Sequence, residues 1–149
     1  MSDYGSQPIL VVEDSPEDWE TTWRAFHRAG LRNPLLRCAT GDEALDFLHR
    51  RGRYEDPDSA PRPGIILLDL NLPGTDGREV LHEIKTVESL RRIPVIVLTT
   101  SSDRRDIDDC YRAGANSYIQ KPVDLDGLMH AIQRLHDYWF EVVILPKEL

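Results

Sequence analysis

The sequence predicts an α/β fold: a five-stranded parallel sheet with helices on both faces. Three features predict it. The runs Pro8-Ile9-Leu10-Val11-Val12, Gly64-Ile65-Ile66-Leu67-Leu68 and Ile93-Pro94-Val95-Ile96-Val97-Leu98 are apolar without alternation, as strands buried on both faces are. Helix-patterned segments follow strand-patterned ones five times over, which calls for right-handed crossovers in a parallel sheet. Four of the five strands end in polar residues, Glu13-Asp14, Asp69, Thr99 and Lys121, and a parallel sheet gathers those ends along one edge.

Taken in order, the first strand gives way to a helix that opens on Ser15-Pro16-Glu17-Asp18. Ser15 suits the N-cap, Pro16 the first helical position, and Asp18 completes a variant capping box. Trp19, Trp23 and Phe26 give that helix an apolar stripe, read as core packing, and Gly30 stops it. Pro34-Leu35-Leu36-Arg37-Cys38-Ala39 is a second strand, placed at a sheet edge by its arginine. Thr40-Gly41-Asp42-Glu43 has the T-x-x-E form that starts a helix, carried on by Ala44, Leu45, Phe47 and Leu48. Residues 52–63, rich in Pro, Gly, Asp and Arg, form a loop rather than a domain boundary, because a core strand follows directly.

That third strand runs into Asp69 and is cut off by Asn71-Leu72-Pro73-Gly74-Thr75-Asp76-Gly77. Residues 78–86 form a helix with Val80, Leu81 and Ile84 inward. The fourth strand, 93–98, ends in Thr99-Thr100-Ser101-Ser102. Residues 103–113 form a polar helix with Ile107, Cys110 and Tyr111 on one face, stopped by Gly114. Residues 116–120 are the last strand, and Lys121-Pro122 follows. From Asp124, the residues Leu125, Leu128, Met129, Ile132 and Leu135 make an amphipathic helix.

Composition bounds the function. The 149 residues suggest one domain, 1–149, and the net charge of −8 argues against nucleic acid as the main partner. No apolar run reaches the ~18 residues of a membrane span, and the first seven residues lack a signal-peptide pattern. The cysteines, Cys38 and Cys110, read as buried thiols of a cytoplasmic protein rather than as a disulfide. The histidines, His27, His49, His82, His130 and His136, are scattered over helices and read as surface or satisfied residues, not ligands.

The strand ends carry the chemistry. Glu13, Asp14 and Asp69 meet at one edge, where two unit charges ~4 Å apart repel by roughly 4 kcal/mol at an effective dielectric of 20. Such a cluster needs a cation or shifted pKa values. A hard divalent ion with oxygen ligands suits it, Mg2+ best, whereas zinc has no His or Cys beside the acids. Thr99 and Lys121 stand opposite. A carboxylate with a metal, an ammonium and a hydroxyl around it is equipped to become an aspartyl phosphate. A buried Asp–Lys ion pair capped by two acids is the plainer alternative.

Glu13-Asp14, Asp69, Asn71, Pro73-Gly74, Asp76-Gly77, Thr99, Gly114-Ala115, Tyr118 and Lys121-Pro122 together resemble the receiver domain of two-component response regulators, over residues 8–136. The resemblance implies a flavodoxin-like strand order, 2-1-3-4-5. It implies that Asp69 takes phosphate from a histidine kinase. It implies Mg2+, with Mn2+ or Ca2+ as substitutes, held by Asp14, Asp69, the Asn71 backbone carbonyl and Glu13. It gives Lys121 to the phosphate, makes Lys121–Pro122 a cis peptide, and assigns Thr99 and Tyr118 to a two-packing switch.

Beyond the helix that starts at Asp124, a tail of about 137–149 includes the apolar Tyr138, Trp139, Phe140, Val142, Val143 and Ile144. Such a surface either folds back on its own helices or buries against a second subunit. The tail, the 52–63 loop and Gly-Ala-Asn-Ser-Tyr-Ile resemble the single-domain regulators associated with phytochromes. That resemblance implies a bacteriophytochrome kinase and a homodimer formed through the last helix and tail. Two rivals remain at this point: a pseudo-receiver that only docks, and a haloacid-dehalogenase-type phosphohydrolase. The latter resembles D-x-D, but Asn71 stands where its second acid would be. External turnover, and so an enzyme, is not expected.

Overall fold

A computed structural model describes residues 7–146; residues 1–6 and 147–149 of the expected single domain lie outside it. Five parallel strands stand in the order β2-β1-β3-β4-β5, as the resemblance implied. They are β1 Ile9–Val12, β2 Leu35–Cys38, β3 Ile65–Leu68, β4 Val95–Thr99 and β5 Ser117–Gln120. The helices are α1 Pro16–Arg28, α2 Gly41–His49, α3 Gly77–Thr86, α4 Arg104–Ala113 and α5 Leu125–His136.

Side chains alternate across the sheet, so each apolar run feeds two cores. Ile9, Val11, Ile65, Leu67, Ile96 and Leu98 point to the face covered by α1 and α5, with Phe26, Leu128 and Ile132. Leu10, Val12, Ile66, Leu68, Val95 and Val97 point to the other face, with Phe47, Val80, Leu81 and Ile84. In-register pairing of Val12 with both Cys38 and Leu68 brings the ends of β1, β2 and β3 level. That alignment puts Glu13 and Asp69 side by side.

Each helix begins at this same edge with a side-chain cap. Ser15, Thr40, Asp76, Asp103 and Asp124 accept from the N–H of Asp18, Glu43, Arg78, Arg105 and Gly127. Close approach fixes the turn after β3: a Cβ on Gly77 would overlap the Asp69 carbonyl, and one on Gly41 the Thr75 carbonyl.

Some expectations shift. The fourth strand starts at Val95, because Pro94 has no N–H for the ladder, and it includes Thr99. The 52–63 loop contains two 3-10 turns, Gly52–Tyr54 and Pro57–Ser59. Tyr54 packs edge-on against Phe47. Of the α1 stripe, Phe26 is buried and Trp19 half-buried, while Trp23 lies exposed and stacked on His27. On α4 only Cys110 is fully buried; Tyr111 is exposed, its hydroxyl accepting from the Tyr118 N–H at 3.1 Å. Both cysteines are buried thiols, as expected.

The tail folds back in part on its own helices. After α5 a π-helical turn, Asp137–Val142, leads into an extended end. Phe140 stacks on His136, 5.7 Å between centroids, and meets Phe26 edge-on; Trp139 packs on the same core, and Leu145 is buried. Tyr138, Val142 and Ile144 face outward. Of the six apolar tail residues, Trp139 and Phe140 thus follow the fold-back alternative, each half-buried against its own core. Their rings complete a core that α1 and α5 alone leave open.

Candidate functional site

The rim at the carboxyl edge brings together the residues that pattern alone suggested. Asp69 is 8 % exposed and Lys121 6 %, a depth at which a charge needs partners. Lys121 Nζ donates to Glu13 Oε1 at 2.7 Å, to Asp18 Oδ2 at 2.9 Å and to Asp69 Oδ2 at 3.2 Å. Burial by itself would lower the lysine's pKa, but the pairing with Glu13, Asp18 and Asp69 outweighs it and holds the ammonium above its ordinary range. Glu13 shows the opposite balance. Burial pushes its carboxyl up, and Lys121 with the Ser15 N–H, 3.1 Å from Oε2, pulls back only in part.

Asp18 is absent from the sequence-derived site. Its backbone N–H donates to Ser15 Oγ, but its side chain turns to the lysine and the Ser15 N–H goes to Glu13 Oε2, so the expected capping box is only half formed. The signal was its place in the first turn of a helix that starts at the rim. Arg37, read only as an edge marker, donates to the carbonyls of Glu13 and Asp14 at 3.0 and 3.2 Å and so braces the end of β1.

Carboxylate oxygens of Glu13, Asp14 and Asp69 all lie within 4.8 Å of one another. Such an all-oxygen set fits a hard divalent cation. Asp14 is exposed and open to solvent, whereas Glu13 is already occupied by Lys121 and Ser15. Asn71 is exposed, and its N–H donates to Asp69 Oδ1 at 3.2 Å, which sets the carboxylate's orientation.

On the other side stands Thr99, fully buried, with Oγ1 accepting from the Ser101 N–H at 3.4 Å. Tyr118 is half-buried and donates to the Ser101 carbonyl at 2.8 Å; burial raises its phenol pKa. The Lys121–Pro122 peptide is trans, and no cis peptide occurs among the described residues, which corrects the cis expectation. Trans is the favoured isomer of an X-Pro bond by about 0.5–1 kcal/mol, and with it the lysine already reaches all three acids.

Next to the rim, Arg78 Nε and Nη2 both donate to Asp106 at 2.7 Å, and Ser101 Oγ donates to it at 2.7 Å. Arg78 first, then Ser101, holds the Asp106 carboxyl down at about 2, against an ordinary value of 3.8. A depressed carboxyl stabilises the fold above its unfolded pKa, and that stabilisation fades as pH falls through about 2. Asp106→Asn should therefore cost about 1 kcal/mol at pH 7, a figure kept small because the Arg78 side chain is 39 % exposed. The difference should shrink toward zero near pH 2, as read by urea unfolding at both pH values.

A doubly wound α/β domain with clustered acids, one lysine and one hydroxyl at its carboxyl edge is the architecture of a receiver domain. The chain belongs to the response regulator receiver domain family, which matches residues 9–133. It is 42 % identical over 148 residues to response regulator Rcp1 of Synechocystis sp., covering 98 % of this chain and 99 % of that one. The Mn2+-bound crystal structure of Rcp1 superposes with a TM-score of 0.90 at 41 % identity, over 95 % of this chain and 99 % of that one. The phosphorylated cyanobacterial phytochrome response regulator RcpA gives a TM-score of 0.90 at 37 % identity, with the same coverage. The domain is thus a two-component receiver related to phytochrome response regulators. No helix among its described residues is long and apolar enough to cross a membrane.

Proposed function

We propose that Asp69 accepts a phosphoryl group from a histidine kinase of the phytochrome type. An Asp69 carboxylate oxygen forms the new bond to phosphorus while the bond from phosphorus to the kinase imidazole nitrogen breaks, and the imidazole leaves and takes up a proton. Glu13, Asp14, Asp69 and the Asn71 backbone carbonyl would hold a Mg2+ ion, which supplies positive charge against the phosphoryl oxygens when bound. Lys121, kept protonated at the rim, neutralises a further oxygen, and the Thr99 hydroxyl donates to a third. Thr99 and Tyr118 then change packing together and carry the signal away.

The observation that carries this reading is Lys121 Nζ lying 3.2 Å from Asp69 within an oxygen cluster suited to a divalent ion. The mutual 4.8 Å of the Glu13, Asp14 and Asp69 oxygens supports the metal. The Mn2+-bound form of Rcp1 and the phosphorylated form of RcpA support the metal and the modification by analogy. The test is incubation with acetyl phosphate and Mg2+. Wild type should gain one base-labile, hydroxylamine-labile phosphate, and Asp69→Asn should gain none. Catalytic release of inorganic phosphate would instead mark a phosphohydrolase, and neither outcome a docking pseudo-receiver. On this reading the domain works in the cytoplasm, without turnover of an external substrate.

The core 8–136 is the receiver, and the tail from 137 onward is its association segment. The outward Tyr138, Val142 and Ile144 support a symmetric homodimer through the last helix and tail. Light scattering at tens of micromolar should give the dimer mass for wild type and the monomer mass for the double variant Val142→Glu, Ile144→Glu. A wild-type monomer would remove the dimer from the proposal.

A further inference from the structure

Ser101, two residues past the end of β4, is bonded on three sides. Its N–H donates to Thr99 Oγ1 at 3.4 Å, its Oγ donates to Asp106 Oδ2 at 2.7 Å, and its carbonyl accepts from the Tyr118 hydroxyl at 2.8 Å. Asp106 belongs to α4. It is gripped through both carboxylate oxygens by Arg78 at the start of α3, and Arg78 Nη1 also donates to the helix cap Asp76 at 3.0 and 3.1 Å. A bidentate guanidinium–carboxylate pair fixes orientation as well as distance, which a lysine in the same place would not. The loop that follows the rim hydroxyl is therefore tied to α3 and α4 by a continuous chain of charged and polar groups. The side-chain hydrogen bonds of Asp69 go elsewhere, to Lys121 and the Asn71 N–H.

A threonine hydroxyl has one proton to donate and lone pairs to accept with. The Ser101 N–H takes a lone pair of Thr99, so the proton of that hydroxyl is left for another acceptor. A donor set in place before the reaction stabilises developing charge with no reorganisation at the moment of transfer. We propose that Arg78 and Asp106 are positioning residues for phosphoryl acceptance, acting through Ser101 to hold the Thr99 hydroxyl ready to donate to an incoming phosphoryl oxygen. The proposal rests on reading Asp69 as the acceptor. It adds to the rim a pair of residues on two different helices, whose ion pair sets how well the hydroxyl is aimed. Because Ser101 also holds Tyr118, the same pair biases the packing of that ring.

The test uses the full chain with Arg78→Gln, Arg78→Lys and Asp106→Asn. Each variant should slow phosphorylation by acetyl phosphate about fivefold at saturating Mg2+, the size expected for coupled neighbours. Arg78→Lys keeps the charge but loses the fork, and should recover little of the rate. Mg2+ affinity by titration calorimetry should stay at the wild-type value, which a general loosening of the rim would not allow. In a Thr99→Ala background the same substitutions should cause no further loss. An unchanged rate, a parallel fall in Mg2+ affinity, or full additivity with Thr99→Ala overturns the proposal. A wild type that takes up no phosphate overturns the acceptor reading instead. The hub is then read in the unmodified protein by NMR: Arg78→Gln should move the Ser101 and Tyr118 amide resonances and leave those of β1 in place. Unmoved Ser101 and Tyr118 resonances overturn the hub as well.

Discussion

Lys121→Met is expected to lower the unfolding free energy by about 3 kcal/mol at neutral pH in EDTA, the range seen when one partner of a buried charge group is removed. Methionine keeps the unbranched apolar stem of the lysine and lacks only the atom at its tip, so packing is largely retained and the loss falls on electrostatics. Glu13 and Asp69 are then left buried without the ammonium, and Asp18 loses its partner on the rim. Two outcomes make the cause identifiable. Mg2+ should restore more stability to the variant than it adds to wild type, because the acids no longer have to give up a cation to bind another. Mild acid should help the variant as well. Burial raises the Glu13 carboxyl even with Lys121 present, so the folded state binds this proton more readily than the unfolded chain does. The sign follows: stability at this group rises as pH falls and is lost as pH climbs through the raised pKa. Urea unfolding at pH 5 and pH 7, with and without Mg2+, checks all three. A variant as stable as wild type in EDTA would mean that Lys121 is not what holds the acids together.

Much of the fold was legible because its signals are local and repeated. Unalternating apolar runs such as Ile65-Ile66-Leu67-Leu68 mean burial on both faces, and the two cores they feed are the consequence. Ser15, Thr40 and Asp124 announce helix starts by chemistry that needs no tertiary contact. The acids, Thr99 and Lys121 were legible for a related reason: each stands where an apolar run stops, and parallel topology does the rest. The strand order is different in kind. Alternation gives a parallel sheet, but only the resemblance supplied 2-1-3-4-5.

The missed residues depend on where a side chain turns rather than on where its backbone lies. Asp18 reads as part of the cap because its backbone N–H donates to Ser15; the side chain points at Lys121, 103 positions away in the chain. Arg78 and Asp106 lie 28 apart on separate helices, and neither has a periodic partner that would mark it. The tail was ambiguous for a physical reason. An apolar run at 138–145 is compatible with fold-back or with a second subunit, and only the π-helical turn decides which of its residues face home. It sends Phe140 onto His136 and Phe26 and turns Val142 outward.

Asp69→Asn should do the reverse of Lys121→Met. In EDTA the variant is expected to be more stable than wild type by about 1 kcal/mol, the small remainder of repulsions and an attraction each worth roughly 4 kcal/mol at ~4 Å. The substitution keeps shape and lets the amide oxygen still accept from the Asn71 N–H. It removes only the longest of the three Lys121 contacts, at 3.2 Å, leaving those to Glu13 at 2.7 Å and Asp18 at 2.9 Å. What it relieves is repulsion from Glu13 and Asp14, whose oxygens share the cluster. With Mg2+ the order should invert. An ion at a hundred times its dissociation constant stabilises wild type by about 2.7 kcal/mol, and a site short of one carboxylate gains less. The opposite signs separate two pictures of this rim. In an ordinary buried ion pair, losing either partner destabilises the protein. In a rim with more acid than its lysine can balance, losing the lysine destabilises and losing one acid stabilises, until a divalent ion makes that acid useful. An Asp69→Asn protein that melts below wild type in EDTA would return Asp69 to the first picture and leave its carboxylate no reason to await a metal or a phosphoryl group.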